Sequence, residues 1–326
     1  MDLKIINYSC PLIFFITLIY SYYAYIFEVC LWKFVYVDKR YNYVSGIFCF
    51  YHINFILILW SFFKIMIESD IEIPEKFQLS EKTIEKFVQL ANDENFESAS
   101  ITSNTQLMSE IDDSKAPLRY KFNKRQKEFI ENYCKKKGLK LMTRTPGGNI
   151  NICLECKLIK PDRCHHCRKC NKCVLRMDHH CPYLNRCIGY TNQKYFLLFL
   201  IYLVINIIFI LVTIMPSLIE CWNYRFSNHH TEYHIFVLFI VSICAILPMS
   251  SLVIYTIRLI SLNRTNIEEE FIHLTTQSSN IYTKMFDLGS CQKNFTEIFG
   301  KNIFLAILPV WTTMSNGYEY EKKVEV

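Results

Sequence analysis

Cysteines and histidines crowd the middle of this chain at spacings that suit metal binding. Eight of the 15 cysteines lie between positions 153 and 187, together with His165, His166, His179 and His180. Repeated Cys-x-x-Cys pairs place two thiolates on one tight turn, which is the arrangement that tetrahedral zinc requires. Such density indicates zinc in a reducing compartment rather than a disulfide framework.

More side chains are present than zinc would use, so a thiol is left for chemistry. Eight cysteines and four histidines give 12 candidates, whereas two closed sites take about eight ligands. Cys181 has the most reactive surroundings, because Asp178, His179 and His180 directly precede it. An acid that orients an imidazole, an imidazole that takes a proton and a thiol that attacks are the parts of an activated nucleophile. Spacing alone leaves open that all four residues are zinc ligands or loop residues.

Four apolar runs must position this group. They cover residues 11–31, 46–66, 195–215 and 235–255, and each has about the 20 residues that cross about 30 Å of hydrocarbon. The third run begins shortly after Cys181, so we expect the thiol near the membrane surface. A thioester can bind there with its acyl chain in the bilayer and its polar carrier in water. His52, Asn54 and Asn206 lie inside the runs, and we interpret them as interhelical hydrogen-bonding groups.

Positive charge is concentrated between the second and third runs. Of the 36 Lys and Arg, 23 lie between positions 67 and 194, which is typical of a cytosolic loop, and no nucleic-acid-binding motif accompanies them. The charges that follow the first run would instead place the short loop between the first and second runs in the cytosol. The free thiols therefore decide the prediction that the long loop and both termini face the cytosol.

The long loop also contains segments without the cysteine pattern. Residues 91–113 predict a flexible linker, and residues 121–140 predict a basic helix, either on the membrane surface or freely solvated. The connection between the third and fourth runs is expected at residues 216–234. We find no internal repeat of useful length.

Residues 153–196 resemble the cysteine-rich domain of the DHHC-type protein S-acyltransferases, or palmitoyltransferases. The shared motifs are Asp178-His179-His180-Cys181, Lys160-Pro161-x-Arg163 and Gly189-x-x-Asn192-x-x-x-Phe196. Two more follow the last span: Thr265-Asn266-Ile267-Glu268, and a segment with Phe286-Asp287-Leu288-Gly289, Asn294 and Phe299-Gly300. The flanking spans fit as well, so the resemblance covers nearly the whole chain except the linker.

The resemblance implies roles for individual residues. One structural zinc ion would be held by Cys153, Cys156, His166 and Cys173, and a second by Cys167, Cys170, His180 and Cys187. Cys181 would be the nucleophile, His179 its base and Asp178 the group that orients His179; Cys164 and His165 would lie outside both zinc sets. Tyr183 stands where the family usually has Trp, at the expected mouth of the acyl cavity, and Arg186 stands where Asn is usual. The acyl chain-length preference is therefore open.

The implied fold is an all-α polytopic membrane protein with four transmembrane helices and a small two-zinc cysteine-rich cytosolic domain between spans 2 and 3. The expected boundaries are residues 1–66 for transmembrane helices 1 and 2, 67–150 for a partly disordered cytosolic linker and 151–194 for the zinc domain. Residues 195–256 would form transmembrane helices 3 and 4, and residues 257–326 a cytosolic C-terminal segment.

The implied activity is transfer of a long-chain acyl group, typically palmitate, from acyl-CoA through a Cys181 acyl-enzyme to cysteines of other proteins. Expected partners are palmitoyl-CoA, membrane-associated substrate proteins with cytosolic cysteines and membrane lipid, but no nucleic acid. The expected location is the Golgi, endoplasmic reticulum or plasma membrane, with the Golgi favoured. Lys169, Lys172 and Arg176 would hold CoA phosphates or form a solvated face. The alternative is a membrane-anchored zinc-binding adaptor without acyltransferase activity, in which Cys181 would be dispensable.

Overall fold

The computed structural model describes residues 3–95, 122–145, 147–223, 230–274 and 284–320. Most of the linker expected at residues 91–113 lies outside these ranges, but residues 91–95 are helical. The chain forms two compact units. The first comprises Met1–Ser69 and Asp178–Ser315, and the second comprises Asp70–Met177 and Asn316–Val326.

Helices and six short strands form the described part of the chain. In chain order the helices are α1 (Leu3–Tyr23, continued by a π-helix over Ala24–Val37), α2 (Tyr41–Ile67), α3 (Glu81–Asn95), α4 (Lys124–Lys136), α5 (Gln193–Asn223), α6 (His230–Ser261), α7 (Asn266–Leu274), α8 (Cys291–Phe299) and α9 (Ile303–Ala306). The strands are β1 (Ile152–Cys153), β2 (Leu158–Ile159), β3 (His165–Cys167), β4 (Lys172–Val174), β5 (His179–Cys181) and β6 (Arg186–Ile188).

Four helical stretches are long and apolar enough to cross a membrane: Cys10–Val37, Tyr41–Ile67, Gln193–Trp222 and His230–Ser261. The predicted four spans are therefore confirmed, although each is longer than expected. The connection predicted at residues 216–234 is wrong, because α5 continues through Pro216 and only residues 224–229 separate it from α6. Transmembrane helices tolerate proline because neighbouring groups satisfy the freed backbone carbonyl.

The first unit packs α5 against both α2 and α6. Asn54 Nδ2 donates to the Tyr202 carbonyl at 3.0 Å and lies 3.4 Å from Asn206 Oδ1, which ties α2 to α5. His52 Nε2 lies 3.1 Å from the Tyr22 hydroxyl of α1. The interhelical role predicted for these polar residues is confirmed.

The second unit is built around α3 and α4. Asn123 caps α4, and the amide of Gln126 in its first turn donates to the Phe87 carbonyl of α3 at 3.1 Å. Ile130 is buried in a small core with Phe87 and Leu79. The helix expected near residues 121–140 is thus present, but it buries one face in the core of its own unit instead of being freely solvated.

Candidate functional site

The cysteines lie on three hairpins of one design that repeats every 14 residues. Cys153, Cys167 and Cys181 each end a first strand, and a four-residue turn follows each of them. The last residue of each turn has a left-handed backbone: φ is 52° at Lys157, 49° at Asn171 and 47° at Asn185. The absence of a repeat inferred from the sequence is therefore wrong. The 14-residue spacing of Cys153, Cys167 and Cys181 is visible in the sequence. The repeat is hard to recognise there because the other cysteines occupy different positions in each hairpin.

The first ligand set predicted for zinc comes together in the second unit. One ligand atom from each of Cys153, Cys156, His166 and Cys173 lies within 4.8 Å of the other three. His166 Nδ1 is 3.2 Å from Cys156 Sγ, 3.5 Å from Cys153 Sγ and 3.9 Å from Cys173 Sγ. Tetrahedral zinc bound to sulfur and nitrogen spaces its ligand atoms by about 3.5 Å. The donor set and its size fit zinc.

Register explains why His166 and Cys173 share this group. They are directly opposed on β3 and β4 and therefore project from one face of the hairpin. Cys153 and Cys156 come from the first hairpin, where the Cys156 backbone N–H points at Cys153 Sγ at 3.4 Å. Glu155 Oε2 lies 2.6 Å from the other nitrogen of His166, Nε2, although the angle is not that of a hydrogen bond.

Two members of the second predicted set occupy the equivalent turn of the next hairpin. The Cys170 backbone N–H points at Cys167 Sγ, again at 3.4 Å. This turn therefore has the same sulfur-to-amide geometry as the turn that carries Cys153 and Cys156. Cys164 and His165 lie outside the group of four ligands around His166.

The two faces of the third hairpin carry different side chains, a pair of candidate metal ligands on one face and an imidazole with a thiol on the other. His180 and Cys187 are directly opposed on β5 and β6, with Nδ1 3.7 Å from Sγ, as His166 and Cys173 are on the preceding hairpin. Side chains alternate along a strand, so His179 and Cys181 share the opposite face. The strand thus presents a metal-ligand pair on one side and an imidazole with a thiol on the other.

Asp178, His179 and Cys181 form a connected group in the first unit. His179 Nδ1 lies 2.6 Å from Asp178 Oδ2, and the His179 ring packs edge-on against Phe196 with centroids 5.4 Å apart. Cys181 is 6% exposed and belongs to a cluster of apolar residues from the spans. Burial lowers the pKa of the imidazole, but its interactions with the side chains of Asp178 and Cys181 outweigh burial and raise that pKa to about 9.

The carboxylate of Asp178 is positioned by a motif that follows the last span. Its Oδ1 accepts the backbone N–H of Asn266 at 2.9 Å, at the first residue of α7. Thr265 caps that helix, since its hydroxyl accepts the Glu268 N–H at 3.3 Å while Glu268 accepts the Thr265 N–H at 2.9 Å. Sequence reasoning noticed this motif without assigning it a role. Its Thr-x-x-Glu spacing is a capping box, which marks a helix start.

Buried polar contacts fix the C-terminal segment to the spans. Asn294 Nδ2 donates to the Ser261 carbonyl at 2.7 Å, and Asn263 Nδ2 donates to Glu297 Oε2 at 2.6 Å. Lys194 Nζ at the start of α5 donates to the carbonyls of Leu305 and Val310 and to the hydroxyl of Thr312, at 2.8–2.9 Å. No sequence pattern predicted these Lys194 contacts.

Two positions that depart from the resembled pattern have different surroundings. Tyr183, in the turn after Cys181, is 59% exposed. Arg186 donates from its guanidinium to the carbonyls of Met66 and Glu68 at the end of α2. The hairpin that carries Cys181 is therefore tied to a span through Arg186.

The three cations considered for CoA phosphates are also unlike one another. Lys169 is exposed, and Lys172 is exposed and paired with Asp70. Arg176 is 1% exposed, so it contributes neither to a solvated face nor to an open phosphate site.

Comparison with known proteins gives a consistent result. The family model described as DHHC palmitoyltransferase matches residues 147–272. Palmitoyltransferase ZDHHC15A of Danio rerio is 30% identical, over 95% of this chain and 82% of its own length. Palmitoyltransferase ZDHHC15 of Xenopus laevis is 29% identical, over 98% of this chain and 83% of its own length. Palmitoyltransferase ZDHHC20 of Homo sapiens is 29% identical, over 96% of this chain and 76% of its own length.

The match spans the four membrane helices, the cysteine-rich hairpins and the segment after the last span. With four apolar helices and such relatives, the chain is a membrane protein and an enzyme, and its cysteine and histidine clusters could bind zinc. It belongs to the DHHC palmitoyltransferase family, the family of protein S-acyltransferases.

Proposed function

We propose that this protein transfers a long-chain acyl group, typically palmitate, from acyl-CoA to protein cysteines through a covalent acyl group on Cys181. The observation that carries the proposal is the arrangement around His179. Its imidazole lies 2.6 Å from the Asp178 carboxylate, and the Cys181 side chain shares its face of the strand. This is the acid–imidazole–thiol order of an activated nucleophile.

The first step forms the acyl-enzyme. His179 takes the thiol proton, and the Cys181 thiolate attacks the carbonyl carbon of the acyl-CoA thioester. The bond from that carbon to the CoA sulfur breaks, and the CoA thiolate leaves with the proton from His179. The raised pKa of His179 favours the first transfer, because a more basic imidazole holds the thiol proton more readily.

The second step repeats the chemistry with a different thiol. A cysteine of the substrate protein gives its proton to His179, and its sulfur attacks the acyl carbonyl on Cys181. The carbon–sulfur bond to Cys181 breaks, so the enzyme thiolate is released and recovers the proton. Asp178 keeps the His179 ring in one orientation throughout and stabilises its protonated form.

Zinc would hold the hairpins in place without entering either step. The first ion would be bound by Cys153, Cys156, His166 and Cys173. The 14-residue repeat supports a second ion at Cys167, Cys170, His180 and Cys187. Each of these residues lies 14 positions after the corresponding ligand of the first set. A bound ion on His180 would fix the backbone between His179 and Cys181 from the opposite face of the strand.

The apolar cluster around Cys181 supports a substrate with an acyl chain. Cys181 packs in one cluster with Leu184, Phe196 and Leu200, close to the start of α5. Acyl chains partition into apolar surroundings with about 0.8 kcal/mol per methylene. We propose that palmitoyl-CoA is the donor and that the chain lodges among the spans.

The partner proteins would be membrane-associated and would present cytosolic cysteines. We propose that the long loop between spans 2 and 3 faces the cytosol. Residues 151–194 then form a cytosolic zinc domain, both termini are cytosolic, and residues 67–150 connect span 2 to that domain. Thiols remain reduced in the cytosol, as both the zinc sites and the nucleophile require. Membrane lipid surrounds the spans, and we favour the Golgi as the compartment.

Acyl labelling of the purified full-length protein with a clickable palmitoyl-CoA tests the proposal. Wild type is compared with Cys181→Ser and with Cys291→Ser, which removes an exposed thiol far along the sequence. We expect label that neutral hydroxylamine removes on wild type and Cys291→Ser, and none on Cys181→Ser with unchanged zinc content. Equal label on all three proteins would contradict the nucleophile assignment. It would favour the zinc-binding adaptor as the role of the cysteine-rich region.

A further inference from the structure

Two histidines and a glutamate meet in the first unit, away from the catalytic hairpin. One ligand atom each from Glu28, His230 and His234 lies within 4.8 Å of the other two. His230 Nδ1 is 3.7 Å from Glu28 Oε2, and the two imidazole rings are 4.6 Å apart at their centroids. We propose that these three residues form a binding site for a divalent transition metal of the zinc type.

The helices bring the three groups together for local reasons. His230 and His234 are four residues apart in the first turns of α6, so they share one face of that helix. This spacing is one of the ways in which a helix presents two imidazoles to a single zinc ion. Glu28 comes from the π-helical continuation of α1. Two imidazoles and one carboxylate make a recognised zinc donor set that leaves a fourth position open.

The unpaired ring nitrogen of His234 is the strongest evidence for a ligand. This side chain is 6% exposed, and its Nε2 is buried without a hydrogen-bond partner. Nδ1 lies 3.0 Å from the Tyr20 hydroxyl, so the tautomer that donates from Nδ1 leaves a lone pair on Nε2. Buried polar nitrogens are rarely left unpaired, and a metal ion would satisfy this one.

Tyrosine hydroxyls contact two of the proposed ligands, as groups just outside the ligands of a metal site commonly do. Tyr20 contacts the far nitrogen of His234, and Tyr23 donates to Glu28 Oε1 at 2.8 Å. The Thr231 hydroxyl lies 3.5 Å from Glu28 Oε2. Partners of this kind fix the imidazole tautomer and the carboxylate rotamer. His52 provides a contrast, since both of its ring nitrogens have protein partners.

The proposed site lies at the end of the spans opposite to Cys181. The chain passes from the catalytic hairpin into Gln193–Trp222, a span of 30 residues that rises about 45 Å at 1.5 Å per residue. His230 begins the next helix. An ion bound there would be on the other side of the membrane from the acyl-transfer chemistry, and its binding does not depend on that chemistry.

Metal content of the full-length protein tests the site directly. The purified wild type is dialysed against buffered Zn²⁺, and zinc per chain is measured by mass spectrometry for wild type, Glu28→Gln, His230→Ala and His234→Ala. His230 is the safest substitution because its side chain is 74% exposed. We expect each variant to hold one zinc equivalent fewer than wild type. His52→Ala, the matched control, should equal wild type.

A second readout separates the site from general damage to the cysteine-rich region. When the sites of the cysteine-rich region are already filled, further Zn²⁺ should raise the melting temperature of wild type and His52→Ala, because an ion that binds only the folded state stabilises it. The rise should be lost in His230→Ala, whose starting melting temperature should match wild type without added metal. Equal zinc content and equal rises in wild type and His230→Ala would overturn the proposal.

Discussion

The carboxylate of Asp178 accepts a hydrogen bond from the backbone N–H of Asn266, 88 residues further along the chain, at 2.9 Å. Its other oxygen contacts His179. The start of α7 therefore sets the position of the acid that orients the proposed base.

Removal of the α7 cap should reduce the proposed chemistry more than it reduces stability. Thr265→Ala deletes the hydroxyl that accepts the Glu268 N–H, and loss of such a cap costs about 1 kcal/mol. A shift of Asn266 would misplace Asp178, so we expect acyl-enzyme formation to slow by roughly tenfold, because small misplacements of catalytic groups are costly. Single-turnover acylation and thermal unfolding measure the two effects.

Ser290→Ala is the matched control for this cap. Ser290 caps α8 through the Lys293 N–H at 3.3 Å, without contact to Asp178. Its loss should cost similar stability and leave acylation near the wild-type rate. Equal rates in the two variants would show that the α7 cap acts only on stability.

Asp178→Asn should change the pH dependence of Cys181 reactivity. The pKa of His179 is raised to about 9, so its imidazolium persists at neutral pH and is lost as the pH rises through that value. Without the carboxylate this pKa falls, and the thiolate–imidazolium pair becomes about tenfold rarer at neutral pH for each unit of the fall. Alkylation of Cys181 should therefore be much slower than in wild type near pH 7, with the two rates converging above about pH 9.

Site-resolved mass spectrometry of iodoacetamide labelling across pH gives these rates. Asp70→Asn removes a carboxylate that pairs with Lys172 at the surface, and it should keep the wild-type profile. If Asp178→Asn also kept that profile, Asp178 would have no part in setting the His179 charge.

Hydropathy and motif spacing predicted the four spans and the residues of the candidate site, but not what holds that site together. Composition reports that a segment can cross a membrane but not where its helix ends, and α5 continues beyond Pro216 to Asn223. The strands of the hairpins have two or three residues, too few for an alternating pattern to be visible. The contact between Asp178 and Asn266 joins distant positions, and no local pattern encodes it.

Loss of one ligand should abolish zinc binding at the group formed by Cys153, Cys156, His166 and Cys173. Cys173→Ala removes one of four donors, so we expect the protein to hold about one zinc equivalent fewer than wild type. Structural zinc contributes on the order of 10 kcal/mol to small zinc domains, and the β3–β4 hairpin should become sensitive to protease. Cys134→Ala is the matched control, since Cys134 is buried in the core of the same unit and belongs to none of the metal-ligand groups found among the described residues. Equal zinc loss in both variants would contradict the ligand assignment.

Lys194 should govern the attachment of the C-terminal segment to the spans. The residue is 4% exposed, and its ammonium donates to three oxygens of residues 305–312. Lys194→Met keeps the length and apolar stem but leaves those acceptors unpaired, at a cost of about 3 kcal/mol or more. We expect residues 301–315 to detach and to be cleaved faster by protease, while α5 remains folded. Lys293→Met, on the exposed face of α8, should be cleaved at the wild-type rate. An equal rate for Lys194→Met would mean that other contacts, such as the bond from the Tyr202 hydroxyl to the Ile307 carbonyl, retain the segment.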